Sequence, residues 1–217
     1  MAAATAAAVQ AGANGGPQAR LPFQEAGPSR CEDLPIKFTV FTNVSAHTQR
    51  PKEQTWGSLT RVLSNPQRTV PQKQDCPLLK LATFGEQKTS SGSLRHDANL
   101  QDIYGVEGDH DAGTMTVAEA AQRLQGAGIE AMLYTTASHT AVLPRWRVLS
   151  PLSRPHTKAD RTALVKHLDA ALAGALARES YVASQTYYFG RVEGVPYETQ
   201  RVHGAPLDEA VHANPAR

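Results

Sequence analysis

From residue 32 onward, apolar and polar positions follow two rhythms, one of period two and one near 3.6, and these divide the chain into short elements. Ile36 to Asn43 alternates and reads as a strand that Asn43 stops. Trp56, Leu59, Thr60 and Leu63 recur at helical spacing, and Asn65-Pro66 ends that helix. Leu78 to Phe84 reads as a further strand, followed by a polar loop from Gly85 to Asn99. Ile103 to Glu107 is a strand that runs into Gly108-Asp109-His110-Asp111-Ala112-Gly113. Thr116 with Glu119 then forms a capping box. Behind it Val117, Ala120, Ala121 and Leu124 make one apolar stripe, and Gly126 and Gly128 end the helix. Ile129 to Thr135 and Trp146 to Leu149 are predicted strands either side of a turn at Ala137 to Pro144. A second long helix is predicted over Lys158 to Ala177, capped by Thr157 and buried through Leu164, Val165, Leu168, Leu172 and Leu176. Ser184 to Val192 is β-rich in propensity.

Strands alternate with helices, so the fold class is α/β or α+β, a mixed sheet with packed helices. The 217 residues suffice for one domain with a full core, and the 41% hydrophobic content is ordinary for a globular chain. Residues 1–31, rich in Ala, Gly, Gln and Pro, are expected to be a disordered tail. Residues 32–203 are the expected domain, and residues 204–217, weakly patterned, a flexible tail. The formal net charge of +2 announces no nucleic-acid binding, so any basic surface has to be local. The stretch from Arg145 to Arg161 is such a place, with five basic residues and a single acid. The 2 cysteines, Cys31 and Cys76, lie far apart, which excludes a disulfide framework and a Cys-x-x-Cys zinc site and points to a reduced, cytoplasmic setting. No apolar run approaches the length of a membrane span, so no membrane partner is expected.

Glu107, Asp109 and Asp111 alternate along an extended chain and would line one face at the end of a strand. Carboxylates this close repel unless a cation sits among them, and hard oxygen ligands suit Mg²⁺ or Mn²⁺. A solvated turn ahead of a helix is the plainer reading of the same letters. His110, between the acids, points to the opposite face and reads as packing or surface. Ser138-His139 sits where a strand meets a loop; such a His could donate to a phosphate oxygen or act as an acid or base, or simply be a surface residue. In Arg145-Trp146-Arg147-Val148 the two arginines share one face, and paired guanidinium forks suit a triphosphate. Two solvated arginines are the alternative. Arg154 and Arg161 could extend a basic path for a template strand.

Asp109-x-Asp111, then Ser138-His139, then Arg145 to Pro155, occur in an order that resembles the archaeo-eukaryotic primase superfamily, and most of all the primase-polymerase domains of phages and plasmids. The resemblance spans about Leu94 to Arg191. It implies a primase-polymerase-like core and a nucleotidyltransferase that makes or extends primers on a DNA template with two metal ions. It implies that Asp109 and Asp111 hold metal, that Ser138 and His139 meet the nucleotide's phosphates, and that Arg145 and Arg147 help to hold it. Ala137 stands where Ser is common in the family. The family's third motif, a hydrophobic residue followed by Asp, has no counterpart between Glu179 and Tyr188, where Glu179 is the one acid; Leu168-Asp169 fits the letters but lies within a predicted helix. Glu179 and Glu107 are therefore the two candidates for a third ligand. Many members carry a helicase domain beyond the primase; none follows here, which implies a stand-alone protein or an excised domain, with a separate helicase as a partner.

Two other functions fit the letters. One is a catalytically degenerate nucleic-acid-binding protein of the same fold, for which a missing third acid would be the signature. The other is a rolling-circle nicking initiator with Tyr187 or Tyr188 as nucleophile, although such enzymes want a His-x-His arrangement and the chain has none.

Overall fold

The computed structural model describes residues 30–213, so the expected disordered tail lies almost wholly outside the described residues. In chain order the elements are β1 (Pro35–Phe41), β2 (Gln49–Thr55), α1 (Trp56–Ser64), β3 (Thr69–Val70), β4 (Leu78–Lys80), β5 (Ala82–Phe84), β6 (Leu100–His110), α2 (Val117–Gly126), β7 (Ala131–Thr135), β8 (Trp146–His156), α3 (Arg161–Ala171), β9 (Tyr187–Tyr188), β10 (Arg191–Val192), β11 (Thr199–Val202) and α4 (Leu207–Ala213). Two single 3₁₀ turns, Lys73–Asp75 and Arg178–Tyr181, complete them.

The centre is a five-stranded sheet in the order β11-β7-β8-β6-β5, antiparallel throughout. Helices α2, α3 and α4 pack on one face, where Leu124, Leu164, Val165 and Leu207 meet Val106, Leu133, Trp146 and Val148. The other face carries α1 and a four-stranded sheet in the order β2-β1-β4-β9. There Ile36, Phe38, Trp56, Leu59 and Leu63 meet Met132, Tyr134 and Leu149. The class is thus α+β, with helices and a second sheet covering a central antiparallel one. No helix among the described residues is long and apolar enough to cross a membrane.

The run Leu78 to Phe84, predicted as one strand, is two. The chain breaks step at Leu81, so β4 joins the four-stranded sheet and β5 the five-stranded one. The Leu81 carbonyl then accepts from the N–H groups of both Tyr104 and Gly105. Gly105 is required at this crossing, because a Cβ there would lie 2.3 Å from Leu81 Cδ1 and 2.8 Å from the Ser150 carbonyl oxygen.

Helix α3 is shorter than its apolar spacing predicts. Thr157 does bond to Asp160, yet the helix runs only from Arg161 to Ala171. Ala173 and Gly174 take positive φ of 57° and 76°, which turns the chain out of the helix before Ala177. Strand β2, Gln49–Thr55, carries no apolar alternation because it is an exposed edge; its seven residues are nonetheless all registered against β1. The tail expected over 204–217 is corrected in its first part: α4 is seated on the core, with Leu207 and Ala210 buried. Asp208 fastens it to β8 by accepting from the N–H and hydroxyl of Ser153, at 2.8 and 2.6 Å, and from His156 Nε2 at 3.0 Å. At the other end of the described residues Cys31, expected within the tail, is fully buried and belongs to the core.

Candidate active site

Asp109 on β6, Arg147 on β8 and Tyr134 on β7 form one row across three adjacent strands, because the registers pair Asp109 with Arg147 and Arg147 with Tyr134. Directly opposed residues on one face are in contact. Arg147 Nε donates to Asp109 Oδ1 at 3.0 Å, and its Nη1 donates to the Tyr188 carbonyl. The guanidinium lies 5.5 Å from the Tyr187 ring centroid. The row is the last on this face before the three strands leave the sheet. Asp111, Arg145 and Thr136 to His139 therefore all emerge at the same end.

The loop that carries Asp111 is held from beneath. His110 points to the opposite face, as its alternation predicts, is fully buried, and stacks on Trp146 with ring centroids 4.7 Å apart. Its Nδ1 donates to the Ala175 carbonyl at 2.7 Å and its Nε2 accepts from the N–H groups of Thr114 and Met115, each at 3.2 Å. That pattern fixes the neutral tautomer with the proton on Nδ1. Trp146 Nε1 donates to the Met115 carbonyl at 2.8 Å. Gly113 has φ of +70°, and a Cβ there would lie 2.2 Å from Leu143 Cδ1, so the turn after Asp111 admits only glycine.

Burial pushes the Asp109 carboxyl above its usual range; Arg147 acts against this, Asp111 adds to it, and Lys73 again opposes it. Asp111 itself is exposed. His139 is buried: its Nδ1 accepts from the Arg145 N–H at 3.1 Å, and its Nε2 lies 4.0 Å from Glu198 Oε1. Ser138 Oγ is 3.5 Å from Thr136 Oγ1. Arg145 precedes β8 and is half-buried.

Glu107 requires a correction. It does share a face with Asp109, but it lies one strand repeat deeper and is only 1% exposed. Lys80 Nζ sits 2.6 Å and Arg161 Nη2 3.5 Å from its Oε2, and the Leu81 N–H donates to Oε1. Its charge is spent on two buried cations and on the backbone at the β4–β5 break, so it does not belong to an open acidic cluster. The paired forks of Arg145 and Arg147 are likewise not presented together. Arg147 is 6% exposed and already engaged. Arg161, expected as part of a surface path, is 1% exposed. Glu179 is exposed on a 3₁₀ turn whose Ser180 hydroxyl accepts from the Asp109 N–H at 3.0 Å. The Tyr pair splits into a buried Tyr187 and a half-buried Tyr188; burial pushes the Tyr187 phenol well up.

Lys73, Lys80 and Tyr134 are the residues at or behind this site that periodicity did not single out. Lys80 carries a readable signal, a lone cation inside an apolar strand run, which has to find an acid. Lys73 lies in a polar loop that carries none.

The donor set can be tested against Mg²⁺ or Mn²⁺. Asp109 Oδ1 is held by Arg147, while Oδ2 has no hydrogen bond among the described residues. Among the described residues no group of three or more His, Cys, Asp or Glu could hold an ion. Mg²⁺ is commonly bound by one or two carboxylates with water and substrate phosphates as its other ligands. Asp109 and Asp111 fit an ion that arrives with a phosphate, and do not fit one caged by protein alone.

No family model matches the chain, and no curated protein matches it. Among solved structures it is similar to the AEP domain of the cyanophage S-2L primase-polymerase, at a TM-score of 0.46 and 10% identity, over 84% of this chain and 90% of that one. A superposition this loose, at that identity, transfers neither residues nor activity.

Proposed function

We propose that the chain is a divalent-metal-dependent nucleotidyltransferase that makes or extends primers on a DNA template. The observation that supports this best is the pairing of Asp109 with Arg147 at a sheet end where Asp111, Ser138, His139 and Arg145 also emerge. These are the residue types, in the chain order, of the primase-polymerase motifs. In this reading Asp109 and Asp111 hold Mg²⁺ or Mn²⁺ together with the nucleotide's phosphates. A metal there would lower the pKa of the attacking 3′-hydroxyl and stabilise the leaving pyrophosphate. Arg147 orients Asp109 rather than binding nucleotide, while Ser138, His139 and Arg145 face the triphosphate from the loop side. Glu179, next to the Ser180 that bonds the Asp109 N–H, is the candidate for a third acid from a separate element.

A second reading is a non-catalytic nucleic-acid-binding protein of the same architecture. It is favoured by the lack, among the described residues, of a third acid grouped with Asp109 and Asp111. Incubation with a primed and an unprimed DNA template, labelled nucleoside triphosphates and Mg²⁺ or Mn²⁺ decides between them. Metal-dependent incorporation that Asp111→Ala abolishes supports the enzyme. DNA binding without incorporation under either metal supports the second reading.

A further inference from the structure

A triphosphate carries up to four negative charges into a site that already holds two carboxylates, so it needs a second cation beside Arg145, which in the reading above faces it from the loop side. Arg147 is not that cation: it is buried, with Nε on Asp109 and Nη1 on the Tyr188 carbonyl. To reach a phosphate with these nitrogens it would have to release Asp109 Oδ1 and the Tyr188 carbonyl, which would then keep only the Tyr134 hydroxyl at 3.3 Å.

Lys73 is differently placed. It lies in the 3₁₀ turn between β3 and β4, half-buried, and forms no ion pair among the described residues. Its ammonium is 5.4 Å from the centroid of the Tyr188 ring. Tyr188 thus ties two cations to one point, Arg147 through its carbonyl and Lys73 through its ring. Through Tyr188 and Arg147 the ammonium is joined, contact by contact, to Asp109. Seating over a ring orients the lysine stem but uses none of its three N–H donors, and a compact ammonium on a flexible stem suits a phosphate.

We infer that Lys73 is the side chain that takes the terminal phosphates of a nucleoside triphosphate bound at Asp109 and Asp111, an assignment that rests on the nucleotide reading above.

The test is equilibrium binding of a fluorescently labelled deoxynucleoside triphosphate in Mg²⁺, with the matching monophosphate as control, to wild type, Lys73→Ala and Lys73→Arg. Thermal melts of all three proteins are run alongside, and should coincide because Lys73 lies in a surface turn. Losing one charge-assisted contact should weaken triphosphate binding by Lys73→Ala about tenfold. Monophosphate binding should change by less than about twofold, and Lys73→Arg should retain most of the affinity. Wild-type triphosphate affinity in Lys73→Ala overturns the inference alone, as does an equal loss for both nucleotides. A wild-type protein that binds neither nucleotide overturns the nucleotide reading and this inference with it.

Discussion

Replacing Glu107 by Gln removes the one negative charge from a buried set of two cations. Lys80, Glu107 and Arg161 are 0%, 1% and 1% exposed, and the carboxylate accepts from Lys80 Nζ, Arg161 Nη2 and the Leu81 N–H. Even with Glu107 present, burial pushes the Lys80 ammonium down to about 8, so its charge is held against a steep desolvation cost. A Gln has nearly the same shape but no charge, and its amide presents donors where three donors already point. Breaking a buried pair from one side costs about 3–5 kcal/mol, a large share of the roughly 5–15 kcal/mol that holds a domain together. At this chain length that lowers the melting temperature by about 10 °C. Lys80→Met combined with Glu107→Gln should recover part of the loss, since only Arg161 then stays unpaired.

The assay is urea unfolding followed by tryptophan fluorescence, because Trp56 and Trp146 are both fully buried and report on the two faces of the central sheet. Urea, being uncharged, leaves the ion set unscreened. A metal-ligand role for Glu107 makes the opposite forecast. In metal-free buffer, Glu107→Gln would then be as stable as wild type or more so, through relief of carboxylate repulsion, and its Mg²⁺ dependence would shift. Wild-type stability in Glu107→Gln would therefore refute the assignment of Glu107 to the core.

Three further outcomes are expected. Asp109→Ala should lose about 2–4 kcal/mol because it strands the buried Arg147, whereas exposed Asp111→Ala should stay within about 0.5 kcal/mol; denaturant midpoints measure both, and equal midpoints would contradict the Arg147 pairing. If Glu179 supplies a third ligand, Glu179→Gln should raise the Mg²⁺ needed for half-maximal incorporation by about tenfold, and an unchanged titration removes it from the site. Asp208→Asn should lose about 2 kcal/mol at neutral pH: burial opposes ionisation of Asp208, but Ser153 and His156 outweigh it and hold the carboxyl below its usual range. That contribution is present above the unfolded carboxyl's pKa near ~3.9 and disappears as pH falls through the lower folded one, so the gap from wild type should close on acidification.

The helix caps and buried stripes were legible because they are local. Thr116 with Glu119 fixes the start of α2, and Trp56, Leu59 and Leu63 give the buried side of α1. Alternation put His110 on the face opposite the acids, and there it stacks on Trp146. What stayed hidden depended on partners far along the chain. Strand β2 has no apolar face to signal it and exists through its register with β1. Helix α4 is seven residues whose seat is set by Asp208 meeting Ser153 and His156, more than fifty positions away. The break at Leu81 leaves no mark in the pattern of Leu78 to Phe84, because it arises from which sheet each half joins.

That break also accounts for the different fates of two acids on one strand face. Period-two alternation correctly places Glu107 and Asp109 on the same side of β6, but alternation says nothing of what lies above each. Where the chain switches sheets at Leu81, β4 brings Lys80 over Glu107 and turns a backbone N–H towards it. One strand repeat further on, the cover comes from β9, which meets Arg147 through the Tyr188 carbonyl and the Tyr187 ring and brings no lysine to the acid. Asp109 faces a single arginine, keeps one oxygen without a protein hydrogen bond among the described residues, and has Asp111 and Lys73 as its other charged neighbours. The same carboxylate chemistry is thus a structural anchor at one position and, in the function proposed above, a metal ligand at the next, and what separates the two is the buried ammonium that β4 sets over Glu107 alone.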